Sequence, residues 1–457
     1  MSFFKKLFGS SDSNKDEEVV VEQNSSNKTQ NNKNSIGRKP SFGRYTDMNK
    51  TKNQLEYWDK SIQLFKEKKY LESFKAFIKY CGDDIENNYK LTDNGNDIAF
   101  EFTQGSKVIK GKANNEKITA EASVVLMEKP SVPVMRKLMN INFALTYSHF
   151  SLKDNVVYLK FSSHSIDASP NKLYAALKEL ATKADQQDDL LVSEFSAVNE
   201  INTDHIIKLS EQTIDVRYKF LTKWINETLT EIKGYDPIKD NGGISFLLLS
   251  LSYKIDYLLI PQGQLMDKLE KIQRVFFAKT NETNQEKNNK IITEFEKIIT
   301  SPKEKITEGF YNVKSTFALA KPANHKQLMD FIYGEINKAK WYTDNGFHVV
   351  TKSIYEYAVS YSFFNFGIIY SDAQLLDVYM TILNQDYYND MGIERNYIDN
   401  NVLNEKNIKK DINLIVKNAK ADFPFFNINV NNLKFTSVID FGNSLFKEMD
   451  ILDYRKQ

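Results

Sequence analysis

The sequence predicts an α+β fold: an antiparallel sheet with packed helices in the order βββαββα, preceded by a helical hairpin and followed by a mainly α-helical region. Two observations carry this. Across residues 97–195 the apolar spacing switches between every second position and the helical period in a definite order. Beyond Asn199 alternation gives way to long stripes at helical spacing.

Residues 10–52 are rich in Asn, Ser, Lys and Glu and hold few apolar side chains, so a disordered tail or linker is expected there. Ahead of it, Phe3, Phe4, Leu7 and Phe8 flank Lys5 and Lys6. Two readings fit this tip: a short motif that docks on a partner or an anionic membrane surface, or an unstructured start. Residues 54–82 read as a helical hairpin. Tyr57, Ser61, Leu64, Tyr70, Ser73, Phe77 and Tyr80 follow the large and small positions of a tetratricopeptide hairpin, with the turn at 66–69. The small Ser61 and Ser73 let the two helices approach closely. Either a lone repeat-like unit or a packing extension of the α+β unit accounts for this hairpin.

Ile98, Phe100 and Phe102 alternate with Ala99, Glu101 and Thr103, which predicts a strand with one buried face. Gly105-Ser106 then suits a tight turn into a second short strand at 107–112. Ile118, Ala120, Ala122, Val124 and Leu126 give the third strand one apolar face. After Lys129-Pro130-Ser131 the period changes. Ser131 is a candidate N-cap, Pro133 fits a first turn, and Val134, Leu138, Ile141 and Leu145 form one helical stripe over 132–145. Ser148, Phe150 and Leu152 and then Val157, Leu159 and Phe161 restore alternation around a turn at Lys153-Asp154-Asn155, so these strands form a hairpin. Asp167 or Ser169 opens the closing helix, with Pro170 in its first turn and Leu173, Leu177, Leu180, Ala184, Leu191 and Phe195 on one face.

The order βββαββα, the run Leu138-Met139-Asn140-Ile141-Asn142, the Phe150-Ser-Leu152 strand and the Val157-Tyr-Leu159-Lys-Phe161 strand together resemble the YbjN family. That family shares its fold with type III secretion chaperones. The resemblance spans residues 97–195 and rests on a hydrophobic pattern with a Leu-x-Asn-x-Asn core. It implies a non-enzymatic cytoplasmic module whose relatives bind other proteins or have no assigned role, and it brings no catalytic residue with it.

Past Asn199, Ile214, Tyr218, Leu221, Ile225 and Leu229 share one helical face, and Leu265, Leu269, Ile272 and Phe276 share another. Residues 244–260 form an apolar run after Gly242-Gly243 that ends at Pro261. It is too short for a membrane span and holds Lys254 and Asp256, so a buried core helix is expected. The polar stretch 281–289 reads as a loop, and residues 291–388 as a second helical block. Ile332, Ile336, Ala339 and Trp341 lie in one of its helices, and Ile354, Tyr357, Ala358, Tyr361 and Phe364 in the next. Its aromatic density is read as helix packing, with a ligand groove as the alternative. Residues 425–430 are strand-like, and a terminal helix follows near 443–449. The chain therefore divides into a tail (1–52), the hairpin (53–86), the α+β unit (87–200) and a helical region (201–457) divisible into 201–280 and 290–457.

Sixty-one Lys+Arg stand against 60 Asp+Glu, a net charge of +1 that gives no field calling for nucleic acid. A hydrophobic fraction of 41% is ample for a core. The single cysteine, Cys81, rules out an intramolecular disulfide and fits a reducing compartment; it reads as a small core residue. No secretory signal is visible at the start of the sequence. His149, His164, His205, His325 and His348 lack metal-ligand spacing and read as surface or capping residues. Nucleophile-elbow, Walker and dinucleotide motifs are absent from the sequence. Asp188-Asp189 and Asp83-Asp84 are adjacent pairs, which do not face each other on a helix. No catalytic, cofactor or metal residue is thus expected.

The leading functional expectation is a non-enzymatic cytoplasmic adaptor or chaperone-like protein that binds a protein partner through the α+β unit and helical surfaces. A second is a component anchored at a membrane or complex through Phe3, Phe4, Lys5, Lys6, Leu7 and Phe8. A third is an enzyme whose site is assembled from dispersed residues.

Overall fold

Residues 37, 39–84 and 86–455 are described in the computed structural model. Helix α1 (Lys52–Lys66) starts at a capping box, where Thr51 accepts from the Gln54 amide and the Gln54 side chain accepts from the Thr51 amide. Helix α2 (Tyr70–Cys81) returns alongside it. Ser61 and Ser73 are fully buried at the crossing, and the Ser73 hydroxyl donates to the Ser61 carbonyl at 2.7 Å. Leu71, Phe74, Phe77, Ile78 and Cys81 enter the same hydrophobic cluster as the sheet, so the hairpin is an extension of the sheet's core.

The main sheet is built from β1 (Tyr89–Asp93), β2 (Asp97–Gln104), β3 (Lys107–Asn114), β4 (Lys117–Leu126), β5 (His149–Lys153), β6 (Val156–His164) and the short β7 (Asn199–Glu200). Its order is β1-β2-β3-β4-β6-β5 with β7 on β4, and every pairing is antiparallel. Helix α3 (Val132–Asn142) connects β4 to β5, and α4 (Pro170–Glu194) crosses the packed face after Ser169 caps it by accepting from the Lys172 amide. Four strands precede α3, not three. The added β1 carries only a half-buried Tyr89 and Leu91 on its apolar face, too little alternation to stand out in the sequence.

Two details of the sheet follow from its turns. Gly105 has φ +55° at the β2–β3 turn, and Asp154 and Asn155 both have positive φ at the β5–β6 turn, the geometry that matches strand twist in a two-residue hairpin. A register shift against β6 between Ser123 and Val125 reverses the alternation at the end of β4. Val125 and Met127 are consequently buried, whereas Leu126, expected on the apolar face, is only half-buried. The open face is charged. Lys90, Glu101, Lys110, Glu121, Lys160 and His149 lie opposite one another in successive strands, with ion pairs of 3.3–3.6 Å joining Glu101 to Lys90 and Lys110 and Glu121 to Lys160.

The helical region contains α5 (Glu211–Ile232), α6 (Asn241–Leu259), α7 (Gly263–Phe277), α8 (Asn284–Thr300), α9 (Lys303–Thr307), α10 (His325–Asp344), α11 (His348–Asn365), α12 (Tyr370–Leu383), α13 (Gln385–Asp390), α14 (Glu405–Ala419) and α15 (Val438–Asp450). Helix α6 is the expected core helix, buried almost throughout from Gly243 and packed closely on α11. No helix among the described residues is long and apolar enough to cross a membrane.

Several expectations fail here for local reasons. The polar run 281–289 is not a loop throughout: Thr283 and Glu286 form a capping box, and α8 begins at Asn284. Residues 425–430 form no strand. Their Phe426 and Ile428 are buried, but the Asn429 amide is bonded by the Glu448 carboxylate, and no sheet lies there to pair with. Trp341 is 58% exposed and stacks on Phe347 at the surface. The block 291–388 is also interrupted, because residues 310–322 leave the helices and run to the sheet. There Phe317 joins the sheet's core, and Gln104 holds it by accepting from the Thr316 and Phe317 amides and donating to the Phe317 carbonyl.

Candidate functional site

The arm at residues 39–51, expected to be disordered with the rest of the tail, is bound to both halves of the fold. Its average hydrophobicity is low, but a few specific side chains hold it. Arg44 makes a two-point ion pair with Asp256 of α6, at 2.7 and 3.2 Å, and also donates to the Pro261 carbonyl. The Gly43 amide donates to the Tyr257 carbonyl at 3.0 Å. Gly43 has φ +96°, and a Cβ there would lie 2.9 Å from the Tyr257 ring, so glycine alone suits the approach. Ser41 meets Asp377 and Arg395, Asp47 accepts from the Tyr174 hydroxyl on α4, and Asn49 accepts from the Tyr370 amide.

Beneath this arm, where α4, the β2–β3 turn, residues 310–322 and the helices α7 and α11 converge, lies a cavity of about 440 Å³. That volume suits a small molecule or a large side chain. Phe42, Phe317, Phe363, Phe364 and Phe366 supply apolar wall, and Tyr45, Tyr311 and Tyr370 add rings with a polar end. Phe363 is fixed by stacking on Tyr257 at 4.0 Å, and Phe42 by Tyr387 and Tyr388 at 5.2 and 5.0 Å.

The charged wall begins at Gly105. A Cβ at this position would fall 1.9 Å from Asp185 Oδ1, so the absence of a side chain lets the carboxylate sit on the turn. Asp185 Oδ1 accepts from the Ser106 amide at 2.7 Å and lies 3.1 Å from its hydroxyl oxygen. One helical turn on, Asp188 accepts from the Ser106 hydroxyl at 2.6 Å and forms an ion pair with Lys107 at 2.7 Å. Lys107 is 1% exposed, and its remaining contact is the Ile201 carbonyl at 3.2 Å. A buried ion pair with these extra bonds is tolerable because each charge keeps partners.

Burial and the neighbouring Asp188 push the Asp185 carboxyl up to about 7, against the pull of the Ser106 bonds and Lys107. Burial together with Asp188 and Asp185 raises Asp189 to about 8. Glu270 is also raised, by burial, with Arg274 and Arg44 opposing. Burial and the same three aspartates raise the Tyr311 phenol; burial and Asp47 raise Tyr45. The cavity thus combines rings, phenols that can donate or accept, and a carboxyl that titrates near neutrality.

Of the sequence-predicted docking residues, Phe3, Phe4, Lys5, Lys6, Leu7 and Phe8 lie outside the described residues. Cys81 is a buried core residue, its thiol pushed up to about 12 by burial. His325 differs from the expected surface role: it bonds Asp372 at 2.9 Å and the Met449 carbonyl at 2.8 Å. No group of three or more His, Cys, Asp or Glu suited to a metal occurs among the described residues. The cavity residues Asp185, Glu270, Arg44, Tyr45 and Tyr311 escaped sequence reasoning. One signal was available, since Asp188 occupies a position between Ala184 and Leu191 in the apolar stripe of α4. No protein-family model matches the chain, and no curated protein matches it.

Proposed function

We propose that the protein is a non-enzymatic cytoplasmic adaptor of the chaperone-like kind, which holds part of a protein partner in the cavity under the arm; a YbjN-like identity for residues 97–195 belongs to this proposal. The observation that supports it is the composition of that cavity. Its walls come from the sheet unit, the helices and the arm together, and they pair a ring-rich lining with a few fixed polar groups, the usual make-up of a recognition site. The charged open face of the sheet is a weaker candidate, because its alternating row already neutralises itself strand by strand.

The test is site-specific photo-crosslinking in cells. A crosslinker replacing Leu319, which lines the cavity and is 56% exposed, should capture a discrete partner, whereas one at Lys110 on the open face should not. Adding Ala320→Trp, which puts an indole on the cavity wall, should abolish capture. Equal capture at both positions, or capture indifferent to Ala320→Trp, would sink the proposal.

A further inference from the structure

We infer that the group received by this cavity is a cation on an apolar body, an amine or guanidinium placed against Asp185 and Glu270 with its hydrocarbon part among the phenylalanine rings. The inference rests on the reading of the cavity as a binding site and adds the chemistry of its occupant.

Most charges around the cavity already have partners. Among the described residues, the wall holds three basic side chains, Lys39, Arg44 and Lys321. Lys39 is paired with Glu86, and Arg44 with Asp256. Lys321 is exposed at the rim and keeps its charge in water. The acidic groups are less well matched. Lys107, whose charge pulls on Asp185, gives its short contact to Asp188. Asp185 Oδ1 is occupied by Ser106, while Oδ2 accepts no hydrogen bond from a described residue. Glu270 has one direct cationic contact, Arg274 at 3.2 Å, and that side chain is 58% exposed, where screening weakens it. Asp185 and Glu270 are therefore the cavity charges with the least direct pairing, and an anionic ligand would meet both. A cation there gains from both, and from the ring faces, in surroundings of low dielectric.

The titration of Asp185 agrees with this geometry. The titratable and charged groups facing it are Lys107 from β3, Asp188 and Asp189 from its own helix, Tyr311 from the 310–322 segment and Arg44 from the arm. With its carboxyl near 7, Asp185 is largely protonated at pH 6 and ionised at pH 8.5. A cation prefers the ionised form, so its binding should strengthen up to roughly tenfold across that interval.

Isothermal titration of the full chain tests this with four probes: 2-phenylethylammonium, its neutral N-acetyl derivative, 3-phenylpropionate and acetyl-Phe-Arg-amide. The expected result is binding of the two cations, stronger at pH 8.5 than at pH 6. Asp185→Asn keeps an acceptor for Ser106, so the fold is retained; it should weaken cation binding at pH 8.5 roughly tenfold and reduce the pH dependence, leaving the part that Asp189 contributes. Tighter binding of acetyl-Phe-Arg-amide than of 2-phenylethylammonium assigns the cation to a basic side chain of a partner protein; the reverse order assigns it to a free amine. The inference is overturned if the neutral or anionic probe binds as well as the amine, or if Asp185→Asn leaves amine binding unchanged. In the first case, loss of that binding in Ala320→Trp would leave the cavity standing as a recognition site. Failure of every probe at millimolar concentration would sink both readings.

Discussion

Under the sheet, the strands withdraw hydrocarbon from water, Ile98, Phe100 and Phe102 of β2, Ile118 and Ala120 of β4, and Leu159 and Phe161 of β6, while a buried charge pair, Lys107 with Asp188, sits by the β2–β3 turn. Between the helices, the same depth holds charge. Asp377 is 1% exposed and accepts from the Tyr257 and Tyr388 hydroxyls, both at 2.6 Å, and from Arg395 at 3.0 Å. Glu356 accepts from Ser250 at 2.8 Å and Asn384 at 2.9 Å and pairs with Lys254 at 3.2 Å. The strands are thus held mainly by shape and burial, the helical region also by networks of polar groups that must find one another. A loss of volume should be felt in the first, and a loss of one partner in the second.

The largest effect should come from Asp377→Ala, which strands the buried Arg395 and two phenols. It should cost about 3–5 kcal/mol in chemical denaturation. Replacing both partners, Asp377→Leu with Arg395→Met, should recover much of that loss, because no buried charge is then left alone. If the double variant were no more stable than the single one, the ion pair would not be what distinguishes this interior.

In the sheet, Ile118→Val removes one methylene from a fully buried position and should cost only about 0.5–1.5 kcal/mol, with no dependence on pH. A much larger loss, or a pH-dependent one, would show that the sheet core relies on its ionic edge at Lys107 and Asp188.

The smallest effect is a pH dependence of melting that His325 adds to the helical region. Both of its ring nitrogens face acceptors, Asp372 and the Met449 carbonyl, an arrangement that suits the imidazolium. Burial opposes the charge, but the Asp372 bond and charge outweigh it and raise the His325 pKa above its usual value. The groups facing it are Asp372, Asp450 and Tyr454, whose hydroxyl bonds Asp372. A raised folded pKa contributes stability that is complete below the unfolded value near ~6.5 and is lost as pH rises through the folded one. Melting of the wild type should therefore fall between pH 6 and pH 9 relative to His325→Gln. Parallel pH profiles for the two proteins would remove the histidine from the account.

The same contrast separates what could be read from the sequence. Strands β2, β3, β4, β5 and β6 and helix α4 were legible because their partners lie on one face of one element, so burial leaves its mark every second or every third to fourth residue. Strand β1 was missed because an edge strand needs little apolar surface, and the end of β4 was misassigned because a register shift leaves no trace in composition. The start of α8 was missed although Thr283 and Glu286 stand at capping-box spacing.

The sequence by itself determined the α+β class, the hairpin with its two close serines, a core helix over 244–260 that the structure shows as Asn241–Leu259, and the burial of Cys81, all consequences of local period and residue size. Only the tertiary structure decided the cavity. Its walls come from the arm near residue 44, the turn at 105, helix positions 185 and 270, and the segments near 311 and 364. What Asp185 and Glu270 can do depends on which cations the fold has already assigned to Glu86, Asp188 and Asp256. Such pairings join side chains far apart in the chain, and their strength comes from exclusion of water, a property of the packed whole that no stretch of neighbouring residues encodes.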